Sequence, residues 1–150
     1  MKGKLLLFAV LIIFIYGCST VSIPVYLSDK KPCTERFYSG HANVLDAAKQ
    51  TLVDLGWVIE KEVEPQVYEI DMVFPEEGEA VLLVTGVRKT RLLLGTRYGR
   101  MNVYVRTYQD ITEMEVRHFV IADWGIFKRK SFGDKRLASC FFEHVRNYLR

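Results

Sequence analysis

Between Trp57 and Ala122, apolar and polar residues trade places at every second position over several short runs, and on both sides of that region the apolar residues recur at helical spacing instead. A period of two is what a strand with one buried face requires; a period of 3.6 is what a helix requires. The chain can therefore fold only as strands enclosed, in sequence, by two helices. Asn43 is a good N-cap, Asp46 stands near the positive end of the helix dipole, and Val44, Ala48, Leu52 and Leu55 share one face. With Gly56 able to take a left-handed C-cap, these residues predict a helix over 44–55. Alternation then predicts strands over 57–63 and 68–74 around the turn Glu64-Pro65-Gln66, over 80–89 after the turn 75–78, and over 101–109 and 113–122. Residues 124–132, which carry Lys128-Arg129-Lys130, read as an irregular connection. Asp134 caps a last helix striped by Leu137, Phe141, Val145 and Tyr148. The expected fold is α+β, a two-layer sandwich with an antiparallel sheet of about five strands and the N-terminal and C-terminal helices on one face, one domain over 41–150.

The N-terminus sets the address. Lys2 and Lys4 precede an unbroken apolar run of twelve residues, Leu5 to Tyr16, followed by Gly17 and Cys18. Twelve is within the roughly 7–15 residues of an export signal and short of the ~20 that span a bilayer as a helix. Ile15-Tyr16-Gly17-Cys18 resembles the lipobox of bacterial lipoproteins. That resemblance implies cleavage before Cys18, a diacylglycerol on its thiol and an acyl chain on the new amino terminus; a plain signal peptide or an uncleaved anchor are the other readings. Residues 1–17 are then the signal, and 18–40 the lipidated cysteine with a tether containing Pro24 and Pro32. Ser19 is not the aspartate that retains many such proteins at the inner membrane, so the resemblance implies the periplasmic face of the outer membrane.

Removing residues 1–17 from the 150 leaves 133, enough for one core, with 19 basic and 18 acidic residues once Lys2 and Lys4 are gone. A near-neutral chain has no general attraction to nucleic acid, and no nucleic-acid partner is expected. Cys33 and Cys140 remain in a compartment where disulfides persist; a bond between them and two unpaired thiols both fit.

The segment Leu55-Gly56-Trp57-Val58-Ile59, the strands after it and the closing helix with Phe141-Phe142 resemble small periplasmic lipoprotein domains of the BamC type over about 42–149. The resemblance implies an accessory or assembly protein without enzymatic activity. The residues themselves point the same way. His41, His118 and His144 belong to no catalytic motif, and together with Cys33 and Cys140 they lack the spacing of a metal site, so no catalytic residue, metal or cofactor is expected beyond the lipid on Cys18.

Charge is the clearest functional signal. Glu60 to Glu79 contains eight acids and one base, Lys61, whereas Ala80 to Gln109 contains no acid and has Arg88, Lys89, Arg91, Arg97, Arg100 and Arg106. Opposite charges on neighbouring strands form a self-complementary face in the simplest reading. In the other, Arg91, Leu92, Leu93, Leu94, Arg97, Tyr98 and Arg100 form a basic, apolar-tipped loop that meets a partner, either an envelope protein or anionic lipid head groups. The expected function is binding at the cell envelope, as an accessory or assembly subunit; a carrier of a lipid-like ligand is the alternative and an envelope hydrolase a remote one.

Overall fold

The computed structural model describes residues 21–69, 79–125 and 127–150; the signal, Cys18 and most of the strand expected over 68–74 lie outside them. Among the described residues the chain forms β1 (Cys33–Phe37), α1 (His41–Asp54), β2 (Ile59–Val63), a 3₁₀ turn (Pro65–Val67), β3 (Ala80–Thr85), β4 (Arg88–Leu92), β5 (Gly95–Tyr108), β6 (Ile111–Asp123), β7 (Lys128–Phe132) and α2 (Lys135–Tyr148). The fold is α+β with an antiparallel sheet, and the sheet is larger than expected: seven strands in the order β1-β6-β5-β3-β2, with β4 on β5 and β7 on β6.

The helices form as their sequences require. Asp134 accepts hydrogen bonds from the backbone N–H of Arg136 and Leu137, both at 3.1 Å, which caps α2. At the end of α1, Gly56 has φ +75°, its N–H bonds to the Val53 carbonyl, and the Trp57 N–H bonds to that of Leu52. These two bonds are a Schellman motif, which turns the chain directly into β2. The start of α1 differs from expectation. It begins at His41 with Gly40 as N-cap, so Asn43 lies inside the first turn.

One face of the sheet meets both helices. Leu83, Met101, Val103, Val105, Met114 and Val116 are buried there against Val44, Ala48 and Leu52 of α1 and Phe141, Phe142 and Val145 of α2. Alternate residues of β5, Met101, Val103 and Val105, and of β6, Met114 and Val116, thus supply the sheet's side of the core.

The long strands β5 and β6 are where the expectation fell short. They pair over Thr96 to Tyr108, beyond the residues predicted for either, and so extend past the helices. The connection expected over 124–132 is largely strand, because β7 completes its hydrogen bonds on the outer edge of β6. The single strand expected over 80–89 is two, β3 and β4. Val84 pairs with Asn102 and Arg88 with Gly99, so three residues stand opposite two, a bulge at Thr85 to Val87 that switches the face presented by the strand.

Residues 21–40 are not a free tether. Cys33–Phe37 pairs with β6 as β1, and Ile23 and Leu27 are buried against Phe119 and Ile121 on the sheet face opposite the helices. Cys33 and Cys140 are free thiols.

Candidate functional site: the projecting end of the sheet

Beyond the helix layer, β4, β5, β6 and β7 continue side by side as a four-stranded extension. Two turns close its far end. Leu92 pairs with Gly95, which leaves Leu93 and Leu94 alone at the first turn, 99% and 80% exposed. The second turn runs from Trp124 to Phe127, closed by the Trp124 N–H on the Phe127 carbonyl at 2.9 Å and by the Gly125 N–H on Asp123 Oδ1 at 2.9 Å. Trp124 and Phe127 are exposed too. Gly95 holds the two turns together. A Cβ there would lie 2.3 Å from the Asp123 carbonyl oxygen and 2.8 Å from Trp124 Cδ1, so only glycine permits this approach.

The flanks of both turns are basic. Arg88, Lys89, Arg91 and Arg97 on the first hairpin and Lys128, Arg129 and Lys130 on β7 are all exposed, while Asp123 is the one acid in the sequence segments 88–100 and 119–132. Asp123 lies 3.8 Å from Lys128. Lys89 sits 5.6 Å above the Tyr98 ring, and Arg88 donates to the Leu55 carbonyl at 2.7 Å while stacking on Trp57. Of the residues singled out from sequence, Arg91, Leu92, Leu93, Leu94 and Arg97 come together here. Tyr98 is half-buried against the Phe119 and Ile121 cluster. Arg100 is elsewhere: it is buried, donating to the Pro24 carbonyl at 3.0 Å and to Glu60 at 3.2 Å. Sequence reasoning missed the second turn and β7, although Phe127 and Phe132 around Lys-Arg-Lys were a signal that the segment is not a plain loop.

At the root of the extension lies an open cleft of about 270 Å³, lined by Trp57, Arg88, Arg97, Gly99, His118 and Asp134 among others. His118 is buried edge-on to Trp57, ring centres 5.8 Å apart. Burial pushes its pKa down to about 4, with Asp134 pulling upward and Arg97 adding to the depression. It is therefore a neutral imidazole at physiological pH, and among the described residues no carboxylate is hydrogen-bonded to it. His41 is apart from it, 2.9 Å from Glu79. Among the described residues no group of His, Cys, Asp and Glu could hold a metal ion.

The opposite sheet face carries a second polar cluster. Arg117 donates to Glu69 at 2.8 Å, to Glu115, to the Tyr26 hydroxyl and to the Leu27 carbonyl at 3.3 Å. Burial works to lower the Arg117 pKa, yet its bonds to Glu115 and Glu69 raise it above its ordinary value, and burial pushes the Tyr26 phenol up to about 12. A buried ion-paired cluster of this kind joins Tyr26 and Leu27 to the sheet, with Glu69 Oε2 left without a hydrogen-bond partner among the described residues. Part of the charge contrast seen in the sequence is used within the fold: Glu60 pairs with Arg100 of the basic stretch, and Glu69 pairs with Arg117 beyond it.

No protein-family model matches the chain, and a search of curated proteins returns no match. The projecting end presents exposed apolar side chains on two short turns, ringed by cations. Exposed apolar side chains ringed by cations are the composition expected of a docking surface.

Proposed function

We propose that this chain is a lipid-anchored protein of the bacterial cell envelope, at the periplasmic face of the outer membrane, that works by binding as an accessory or assembly subunit. Its contact surface is the basic, apolar-tipped end of the sheet. The observation that carries the reading is Leu93, 99% exposed beside Leu94 on a turn two residues long, where polar residues would close a hairpin equally well. Exposed leucines cost solubility unless something covers them, and the surrounding cations select an anionic surface and make association salt-sensitive. The resemblance to BamC-type domains is part of the same proposal. A carrier of a lipid-like ligand would need an enclosed apolar space, and the cleft beside His118 is open and of mixed polarity.

The test has two parts. Growth with a labelled fatty acid should label the wild-type protein and leave Cys18→Ala unlabelled. A photo-reactive residue replacing Arg97 should give adducts in intact cells, and Leu93→Ser combined with Leu94→Ser should abolish them while leaving the melting temperature unchanged. Label on Cys18→Ala defeats the anchor, and adducts that survive the double substitution defeat the contact surface.

A further inference from the structure

We infer that the two turns at the end of the sheet are seated in the head-group region of the anionic bilayer that holds the protein's own lipid anchor. This rests on the anchor reading above and names what the contact surface meets. The decisive observation is the path of residues 21–27. Val21 and Tyr98 both pack against the cluster of Ile23, Leu27, Phe119 and Ile121. The Pro24 carbonyl takes a hydrogen bond from Arg100, the Val25 carbonyl takes one from Asn102, and Tyr26 and Leu27 are held by Arg117. The segment therefore runs alongside β5 in the same direction, entering from the end where the turns lie.

Reach then fixes the geometry. Cys18 is three residues before Val21, at most about 10 Å of extended chain. Tyr98 is three residues from Gly95, about 10 Å along a strand. Acyl chains on Cys18 thus enter a bilayer whose surface is within a short distance of the turns, with no slack for the domain to drift away. The composition of the end suits that surface. Leu93, Leu94, Trp124 and Phe127 are exposed on two neighbouring turns, an aromatic and aliphatic set that partitions to the membrane interface, and Lys89, Arg91, Lys128, Arg129 and Lys130 stand exposed behind them. A lipid anchor with a basic patch is the pair of signals that makes membrane attachment stable. The charges also complement an acidic lipid surface, which asks for no matching shape.

Trp124 is a built-in probe, since Trp57, the chain's other tryptophan, is buried. The full acylated protein is reconstituted in vesicles of phosphatidylethanolamine and phosphatidylglycerol containing bromine-labelled acyl chains. Tryptophan emission should be quenched by the bromolipid in the wild type, and that quenching should be lost in Trp124→Phe. Vesicles of phosphatidylcholine alone should quench less, and about 1 M salt, which shortens the screening length to about 3 Å, should reduce the quenching in anionic vesicles. Acylated wild-type protein that shows no quenching in anionic vesicles overturns the inference. So does a Trp124 that stays open to aqueous iodide in vesicles and becomes shielded only in native envelopes, which would assign the end to a protein partner. The anchor is scored separately by the mass of the N-terminal peptide. If Cys18 carries no lipid, the same quenching measured with unacylated protein and anionic vesicles still decides the matter: its presence supports seating of the turns, and its absence overturns it.

Discussion

Arg117 and His118 are adjacent in β6, so their side chains leave the sheet on opposite faces, and each is buried there at a different electrostatic cost. Arg117 is balanced by Glu69 and Glu115. Removing the cation alone leaves two buried carboxylates facing each other, so Arg117→Met should cost about 3–5 kcal/mol in urea unfolding. Combining it with Glu69→Gln and Glu115→Gln should restore much of the loss, because the desolvated charges are then gone. His118 has no such partner among the described residues, and burial keeps it neutral. The unfolded chain takes up a proton near the ordinary imidazole value of 6.5, the folded chain only near 4. Stability is therefore complete above about pH 6.5 and falls as the pH drops from there toward 4, by up to about 3 kcal/mol, then levels off. In His118→Leu this part of the pH dependence should vanish, read as the difference between unfolding free energies at neutral and acid pH.

Local sequence fixes the elements closely where a cap or a strict period marks them. Asp134 and Gly56 place the end of a helix each, and the alternation of Met101, Val103 and Val105 marks the core face of β5. Bulges have no comparable signature. The extra residue at Thr85 to Val87 changes which face Arg88 occupies, and the register shift between Ile59 and Lys61 sends Ile59 to the helix side and Val63 to the other. Neither shows in a period of two, because both are set by the partner strand. The turns obey the same logic. Gly95→Ala should push the Leu92 to Gly95 hairpin off the Asp123 backbone, costing about 1–3 kcal/mol. Amide exchange should rise at both turns while α1 and α2 stay protected. Gly99→Ala is the control: its Cβ would meet His118 and Trp57 at 3.5 Å, ordinary contact, and the protein should be nearly unaffected.

For the whole molecule, the segment from Ile23 to Phe37 is what turns a two-layer domain into one with both sheet faces covered. Leu27 is fully buried on the face opposite the helices. Leu27→Ala should cost about 2–5 kcal/mol in thermal or urea unfolding, whereas a solvated tether would tolerate it within about 0.5 kcal/mol. The α+β class, both helices and the core faces of β5 and β6 were legible in the sequence, since each depends on the spacing of residues within one element. The sequence alone also presented the basic, leucine-tipped stretch 88–97 as the surface to examine. Only the tertiary structure joined it to Trp124, Phe127 and Lys128-Arg129-Lys130, removed Arg100 to an interior ion pair and laid residues 21–27 along β5. Those placements come from pairing between strands distant in sequence and from burial of charge against charge, and no period within a single segment encodes the partner it will meet.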